Sequence, residues 1–252
     1  ISNSVLAPET LADWGWRIPF LLGGLLGPIG LYMRRHIDDT PAFREQAKEK
    51  NRPQTEVFSL QTALMTAKSI GLGVFGDAGF YIFLAYMPTF TNKYAHLTPA
   101  MALWSNAIGL VVLIICTPLA GLLSDKIGRR VPMMISCAAF IIITIPAFQA
   151  IMAGTLSVIV LQIIIAALIS LYAGPFSAIL TELFPTDVRS TWLAVGRSIA
   201  AVVFGGFAPF IVTWLISVTG YVLSPAYYMM ATATVSLIVL FCLKETAKEK
   251  LT

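Results

Sequence analysis

Long apolar segments separated by short polar ones run through the whole chain. They lie at about 18–33, 68–90, 101–123, 131–152, 156–180, 192–216 and 227–243, each close to the length a helix needs to cross a bilayer. The pattern predicts seven transmembrane helices in an all-α membrane protein. The polar stretch that organises it is 121–130, Gly-Leu-Leu-Ser-Asp-Lys-Ile-Gly-Arg-Arg, with a span on either side. Ten residues leave no room for a domain between two spans, so this stretch is expected to be a tight turn.

The other breaks differ in kind. Residues 1–13 are mixed polar, and Trp14, Trp16 and Arg17 then open the first span in the manner of an interfacial belt. Arg34-Arg35-His36 closes it. Residues 34–61 form the longest polar stretch, where Thr40 as cap and Pro41 in the first turn start a short charged helix that Arg52-Pro53 ends. The expected organisation is therefore 1–33, a linker at 34–61, a six-helix bundle at 62–243 and a tail at 244–252. Within the bundle, Pro118 and Pro146 sit inside spans, Pro146 as a kink site, and Gly174-Pro175 reads as a breaker pair. Residues 182–191 form a second charged loop, 153–155 an uncharged turn, and the sixth span looks broken at Gly205-Gly206 and Pro209.

Composition sharpens the class. Hydrophobic residues make up 57% and charged ones 12%, about half the share of a soluble chain. The net charge of +4 is carried in loops rather than on one face, which argues against a nucleic-acid partner. Those bases are unevenly shared. Arg34, Arg35, Arg44, Lys48, Lys50, Arg52, Lys126, Arg129, Arg130, Arg189, Lys244, Lys248 and Lys250 fall on one side of the predicted topology, Arg17 and Lys93 on the other. By the positive-inside rule the first side, including the C-terminus, is cytoplasmic. Cys116, Cys137 and Cys242 lie in apolar segments without paired spacing and read as small hydrophobes. The chain opens at Ile1 with no basic region before a short apolar core, so no signal peptide is expected and the chain is taken as a fragment or processed piece.

Candidate chemistry is sparse. Gly71, Gly73, Gly76 and Gly79 have a spacing that superficially matches a dinucleotide fingerprint, but no strand precedes them, and a small-residue packing face is expected. Asp77 lies among them. Nine residues at about 1.5 Å each from Lys68 place it roughly 13 Å into the hydrocarbon. A carboxylate there costs about 2.5–3.5 kcal/mol, so it should face a bundle interior or an aqueous cavity, and it suits a proton-carrying group. Tyr81, one turn on, is placed to hydrogen-bond the carboxylate or a substrate. Arg197, about five residues into the sixth span, has two readings: a snorkelling anchor, or an inward cation for a carboxylate-bearing substrate. Glu182, Asp187 and Arg189 share one charged loop, and Asp125, Arg129 and Arg130 the other, so cross-loop ion pairs are expected to latch helix ends. The chain has only His36 and His96, and neither a G-x-S-x-G elbow nor a G-x-x-x-x-G-K-[ST] loop. An enzyme, an ATP-driven pump, a metal site and a cofactor are not expected.

Gly121-x-x-x-Asp125-Lys126-x-Gly128-Arg129-Arg130 resembles the signature loop of the major facilitator superfamily. Three further segments, Trp14-Gly-Trp-Arg-Ile-Pro-Phe20, Asp39-Thr-Pro-Ala-Phe43 and Leu183-Phe-Pro-Thr-Asp-Val-Arg189, together with Lys244-Glu245-Thr246, resemble its metabolite:proton symporters, which carry proline/betaine, citrate, α-ketoglutarate and shikimate. The resemblance implies twelve helices in two halves, with this chain supplying helix six, the linker and helices seven to twelve. It implies proton-driven uptake of a small organic acid or zwitterion across the inner membrane, with the halves rocking about a midplane site and helices one to five needed for transport. It also implies that Gly121, Asp125, Gly128, Arg129 and Arg130 form a cytoplasmic gate and that Asp77 and Tyr81 line the cavity. Tyr227-Tyr228 and the 83–88 region lean towards the proline/betaine branch. Arg197 departs from a zwitterion carrier and keeps organic acids open. The alternative is a non-transporting fragment or partner subunit; a channel is disfavoured for want of a charged or carbonyl ring.

Overall fold

The computed structural model describes residues 13–24, 26–36, 59–154 and 157–245. Every regular element among them is helical. The chain divides into two units, Ile1–Pro53 and Gln54–Thr252.

In the first unit a 3-10 turn at Gly15–Arg17 leads into α1 (Ile18–Gly24) and α2 (Leu26–His36). Arg17 fastens this entry: its N–H donates to the Trp14 carbonyl at 3.0 Å and its guanidinium to the Asp13 carbonyl at 2.7 Å. The described parts of the expected first span, on either side of residue 25, are helical. α2 also continues through the arginines expected to close it. Arginine is a good helix former, so the charge marks a membrane edge without ending the helix. The expected helix start at Thr40-Pro41 and most of the linker lie outside the described residues, as do 1–12 and 246–252.

The second unit holds α3 (Leu60–Tyr81), a wide π turn (Ile82–Tyr86), α4 (Met87–Tyr94), α5 (Pro99–Ile127), α6 (Arg130–Ala153), α7 (Val158–Leu183), α8 (Thr186–Ala200), a second π turn (Ala201–Gly206), α9 (Ala208–Thr219) and α10 (Ser224–Phe241). Six continuous runs among the described residues are long and apolar enough to cross a membrane: Leu60–Tyr94, Pro99–Ile127, Arg130–Ala153, Val158–Leu183, Val188–Thr219 and Ser224–Phe241. These match the second to seventh expected spans. The first expected span, described only on either side of residue 25, is not among these runs. Leu60–Tyr94 begins earlier than expected, at a Ser59 cap whose hydroxyl accepts the Thr62 N–H at 3.1 Å. Its 35 residues extend about 50 Å, well beyond a hydrocarbon layer of about 30 Å.

Both charged loops are shorter than the sequence suggested. α5 runs on through Ile127, leaving Gly128 and Arg129 between helices; α7 ends at Leu183 and α8 begins at Thr186. Charged residues at a helix end continue the last turn as readily as they leave it. The expected break at Gly174-Pro175 is not there: α7 is unbroken and Pro175 is buried. Gly174 instead marks the close crossing of α7 and α5. A Cβ on it would stand 2.6 Å from the Gly121 nitrogen and 2.9 Å from the Ala120 carbonyl carbon.

α3 is the centre of the bundle, touching α7, α8 and α10. Its four glycines do not form one packing face. Gly71 lies against Val239, Gly73 against Ala200, Gly76 against Tyr172 and Phe176, and Gly79 against Phe75 and Met229. Steps of two, three and three residues spread around a helix that turns 3.6 residues per revolution, so the four divide among α10 (Gly71 and Gly79), α8 (Gly73) and α7 (Gly76). Phe75 meets Phe140 at 4.9 Å and Tyr172 at 5.0 Å between ring centroids, both edge-on, which joins α3, α6 and α7. Two side chains then bond α3's own backbone. The Tyr172 hydroxyl donates to the Leu72 carbonyl at 2.7 Å, and the Ser236 hydroxyl stands between the Phe75 N–H (3.0 Å) and the Gly71 carbonyl (2.7 Å). These bonds fix the turn just before Asp77.

Candidate functional site: a mid-span ion pair and a charged helix-end cluster

Asp77 is seventeen residues from either end of Leu60–Tyr94, at the middle of the run. It is 3% exposed, and its Oδ2 accepts a hydrogen bond from Arg197 Nη1. Because α8 starts at Thr186, Arg197 stands eleven residues in, about 16 Å along the axis. Its side chain turns to Asp77 on the neighbouring helix. Two close contacts bring the helices together there, Gly73 against Ala200 and Gly196 against Ser69. Opposite the carboxylate, the guanidinium lies 5.1 Å from the centroid of the Phe176 ring, within cation–π range.

The pair borders a cavity of about 280 Å³ whose wall also includes Phe75, Phe80, Tyr81, Tyr172, Phe176 and Ala201. Tyr81 therefore shares the cavity with Asp77, but its hydroxyl makes no hydrogen bond among the described residues. Its ring lies against the Gly205 backbone. One carboxylate and one guanidinium line this wall, and they neutralise each other. Arg197 keeps 39% of its side chain exposed and still has donors to offer.

A second cluster gathers at the end of the bundle that holds 121–130. Arg129 donates to Asp125, to Ser124 Oγ at 3.0 Å and to Glu182 Oε1 at 3.3 Å, so α5, α6 and α7 meet on one guanidinium. Burial works against its charge, but the Asp125 and Glu182 carboxylates outweigh burial and hold the guanidinium above its ordinary pKa. Arg130 reaches the end of α10, donating to the Leu240 carbonyl at 2.9 Å. Gly128 adopts φ +102°, and a Cβ on it would meet the Glu245 carboxylate at 2.6 Å. With that space clear, Glu245 accepts the backbone N–H of Arg129 at 2.7 Å and of Arg130 at 3.2 Å, capping the first turn of α6. Arg189 turns to the Phe184 carbonyl at 2.9 Å rather than across to Asp125. The Asp187 side chain lies outside the described residues.

The family model of the Major Facilitator Superfamily matches residues 3–191 and 78–252. The chain belongs to the major facilitator superfamily. Among curated proteins it is 29% identical over 263 residues to the proline/betaine transporter of Escherichia coli, covering 99% of this chain and 52% of that protein. It is 30% identical over 240 residues to the citrate-proton symporter of Klebsiella pneumoniae, covering 94% of this chain and 54% of the relative. It is 30% identical over 256 residues to the inner membrane metabolite transport protein YhjE of Escherichia coli, covering 98% of this chain and 58% of the relative. The chain thus spans about half the length of the curated relatives it matches. No solved structure matches it.

For this superfamily member, the structure brings Asp77, Tyr81 and Arg197 to one cavity and Asp125, Arg129, Arg130 and Glu182 to one end. Sequence reasoning missed the Asp77–Arg197 contact, because their separation of 120 positions carries no local signal. It also missed Phe176, Ser124 and Glu245 as partners. Glu245 had one available signal: a carboxylate immediately after the last apolar run, where a neighbouring helix N-terminus can use it.

Proposed function

We propose that this chain is the C-terminal half, with the preceding helix, of a twelve-helix proton-coupled importer in a bacterial inner membrane. The cargo is a small organic acid or zwitterion, and the charged cluster and C-terminus face the cytoplasm. The asymmetry of basic residues supports that orientation. The observation that carries the transport reading is the Asp77–Arg197 pair, bonded at mid-span beside a cavity. An intramembrane ion pair is costly to keep and is usually kept for transport work.

The geometry suggests how coupling works. With Asp77 ionised, Arg197 is occupied and the cavity wall is neutral. A proton taken up by Asp77 removes that claim and turns the planar fork towards the cavity, where a substrate carboxylate can take it bidentately. Neutralising one group and occupying the other makes the loaded state the one that crosses. Loss of the proton on the other side restores the pair and expels the carboxylate. The two halves rock around this site, in the manner of the fold.

The test is Asp77→Asn in the complete transporter, assayed in vesicles with radiolabelled betaine, citrate and α-ketoglutarate. Accumulation against a gradient should vanish, while exchange across the membrane persists. Uptake that still follows the proton gradient would remove Asp77 from coupling. A second reading, that residues 1–252 alone act as a membrane module or partner subunit, draws on the half-length match. Reconstituted alone, residues 1–252 should show no gradient-driven uptake under the first reading, since one half cannot enclose an alternating-access cavity.

A further inference from the structure

We infer that Gly205 is a positioning residue for the Asp77–Arg197 pair, brought to its place by the extra residue of the wide turn that contains it. α3 and the α8–α9 run lie side by side in matching steps. Ser69 meets Gly196, Gly73 meets Ala200, and Tyr81 with the Asp77 Cβ meets Gly205. From Gly196 to Ala200 is four residues, as from Ser69 to Gly73. From Ala200 to Gly205 is five.

That fifth residue is the π turn Ala201–Gly206, where the Phe207 N–H donates to the Val202 carbonyl at 3.2 Å, five residues back. An unbroken α-helix would instead present Phe204, four residues after Ala200. There is no room for it. A Cβ alone at this point would stand 2.8 and 2.9 Å from two Tyr81 ring carbons and 3.2 Å from the Asp77 Cβ. The sequence around the turn makes the widening cheap: Pro209 has no N–H for the α-helical bond to Gly205, and its ring crowds that carbonyl.

The consequence falls on the ion pair. Arg197 reaches Asp77 only while the two helices stay in close approach on both sides of the contact. Gly73 and Ala200 secure one side and Gly205 with Tyr81 the other. A side chain at 205 would lever the run away from α3. Gly206 offers a matched control, since a Cβ there has no neighbour nearer than the Ala201 carbonyl at 3.8 Å. For its effect on transport this inference rests on the coupling role of the pair proposed above; the contact itself can be tested without that role.

The experiment compares Gly205→Ala with Gly206→Ala in the complete transporter, purified in detergent. In each background a double-mutant cycle of Asp77→Asn and Arg197→Gln is read by melting temperature. In the parent and in Gly206→Ala the two shifts should be non-additive, as for residues in contact; in Gly205→Ala they should add. Gly205→Ala/Tyr81→Ala, which removes the ring that the new methyl would strike, should recover the non-additivity. Uptake should fall about tenfold or more in Gly205→Ala and stay within about twofold in Gly206→Ala. Equal coupling in the Gly205→Ala and Gly206→Ala proteins would overturn the inference. If Gly205→Ala yields no folded protein, the Gly205→Ala/Tyr81→Ala cycle decides: coupling recovered supports it, coupling absent overturns it. Failure of the transport reading is a separate result, unchanged uptake in Asp77→Asn with the cycle intact.

Discussion

The two ion-paired regions of this molecule are built on opposite plans. At mid-span one carboxylate meets one guanidinium, the carboxylate is almost wholly buried, and the other neighbours are aromatic rings and glycine backbone. At the helix-end cluster Arg129, Arg130 and Glu245 each have more than one partner. Arg129 alone touches Asp125, Ser124 and Glu182, while Glu245 and the Leu240 carbonyl hold the adjoining backbone and Arg130. A pair with no substitute partner is changed completely by one proton or one competing anion. A cluster with overlapping bonds loses only part of its hold when one is removed. The first arrangement suits a coupling element, and the second suits a joint between helix ends.

Arg197→Gln tests the sharper side of that contrast and should have the largest effect. It leaves Asp77 buried with no cation, a cost of about 2.5–3.5 kcal/mol for an unpaired charge at mid-membrane. Uptake in vesicles should fall by roughly a hundredfold, which corresponds to about 2.7 kcal/mol. The membrane level of the protein, measured by blotting, should fall too. Asp77→Asn/Arg197→Gln should recover the membrane level, because neither charge is then stranded, yet regain no gradient-driven uptake. If the double variant accumulates substrate normally, the pair is structural and the contrast is lost.

This contrast was only partly legible in the chain. The second to seventh spans were readable because a run of about twenty apolar residues has few other uses. Asp77 stood out because a carboxylate in such a run is expensive. What joins it was hidden: pairing with Arg197 depends on where α8 begins, and the sequence gives no sharp edge at Phe184-Pro185 because charged residues continue the helix beyond it. Gly174 and Gly205 read as breakers, since glycine beside or shortly before proline signals a break in isolation. In the bundle both are places where another helix comes too close for a side chain. The four glycines around Asp77 were expected to make one face and instead divide among α7, α8 and α10, which only the arrangement of helices could reveal.

The helix-end cluster calls for milder expectations. Asp125 is 55% exposed on its side chain, so its pair with Arg129 is worth about 0–1 kcal/mol. Asp125→Asn leaves Arg129 held by Glu182, whose side chain is 15% exposed, and by Ser124. Membrane insertion should be unaffected and uptake should drop a few-fold, because the joint is loosened without being lost. Uptake at the parental rate would reduce 121–130 to a topogenic turn. A loss as deep as that of Arg197→Gln would deny the redundancy on which the contrast depends.

Glu245→Gln should have the smallest effect, and it probes a different bond. Glu245 holds α6 by its first backbone N–H groups, where a negative charge is favoured by the helix dipole. Glutamine keeps one carbonyl oxygen to accept the nearer of the two donors, Arg129 N–H, and gives up the charge. The expected cost is about 0.3–1 kcal/mol, seen as a small fall in the melting temperature of the purified transporter. Screening should erase most of the difference: between low salt and about 1 M salt, where the Debye length is about 3 Å, the variant and parent should converge. Glu245→Ala, which removes both acceptors, should remain destabilised at either salt concentration, because what it loses is hydrogen bonding rather than charge. A gap between Glu245→Gln and parent that persisted undiminished in high salt would mean that Glu245 acts by shape, as the group Gly128 makes room for, and not as a charged cap.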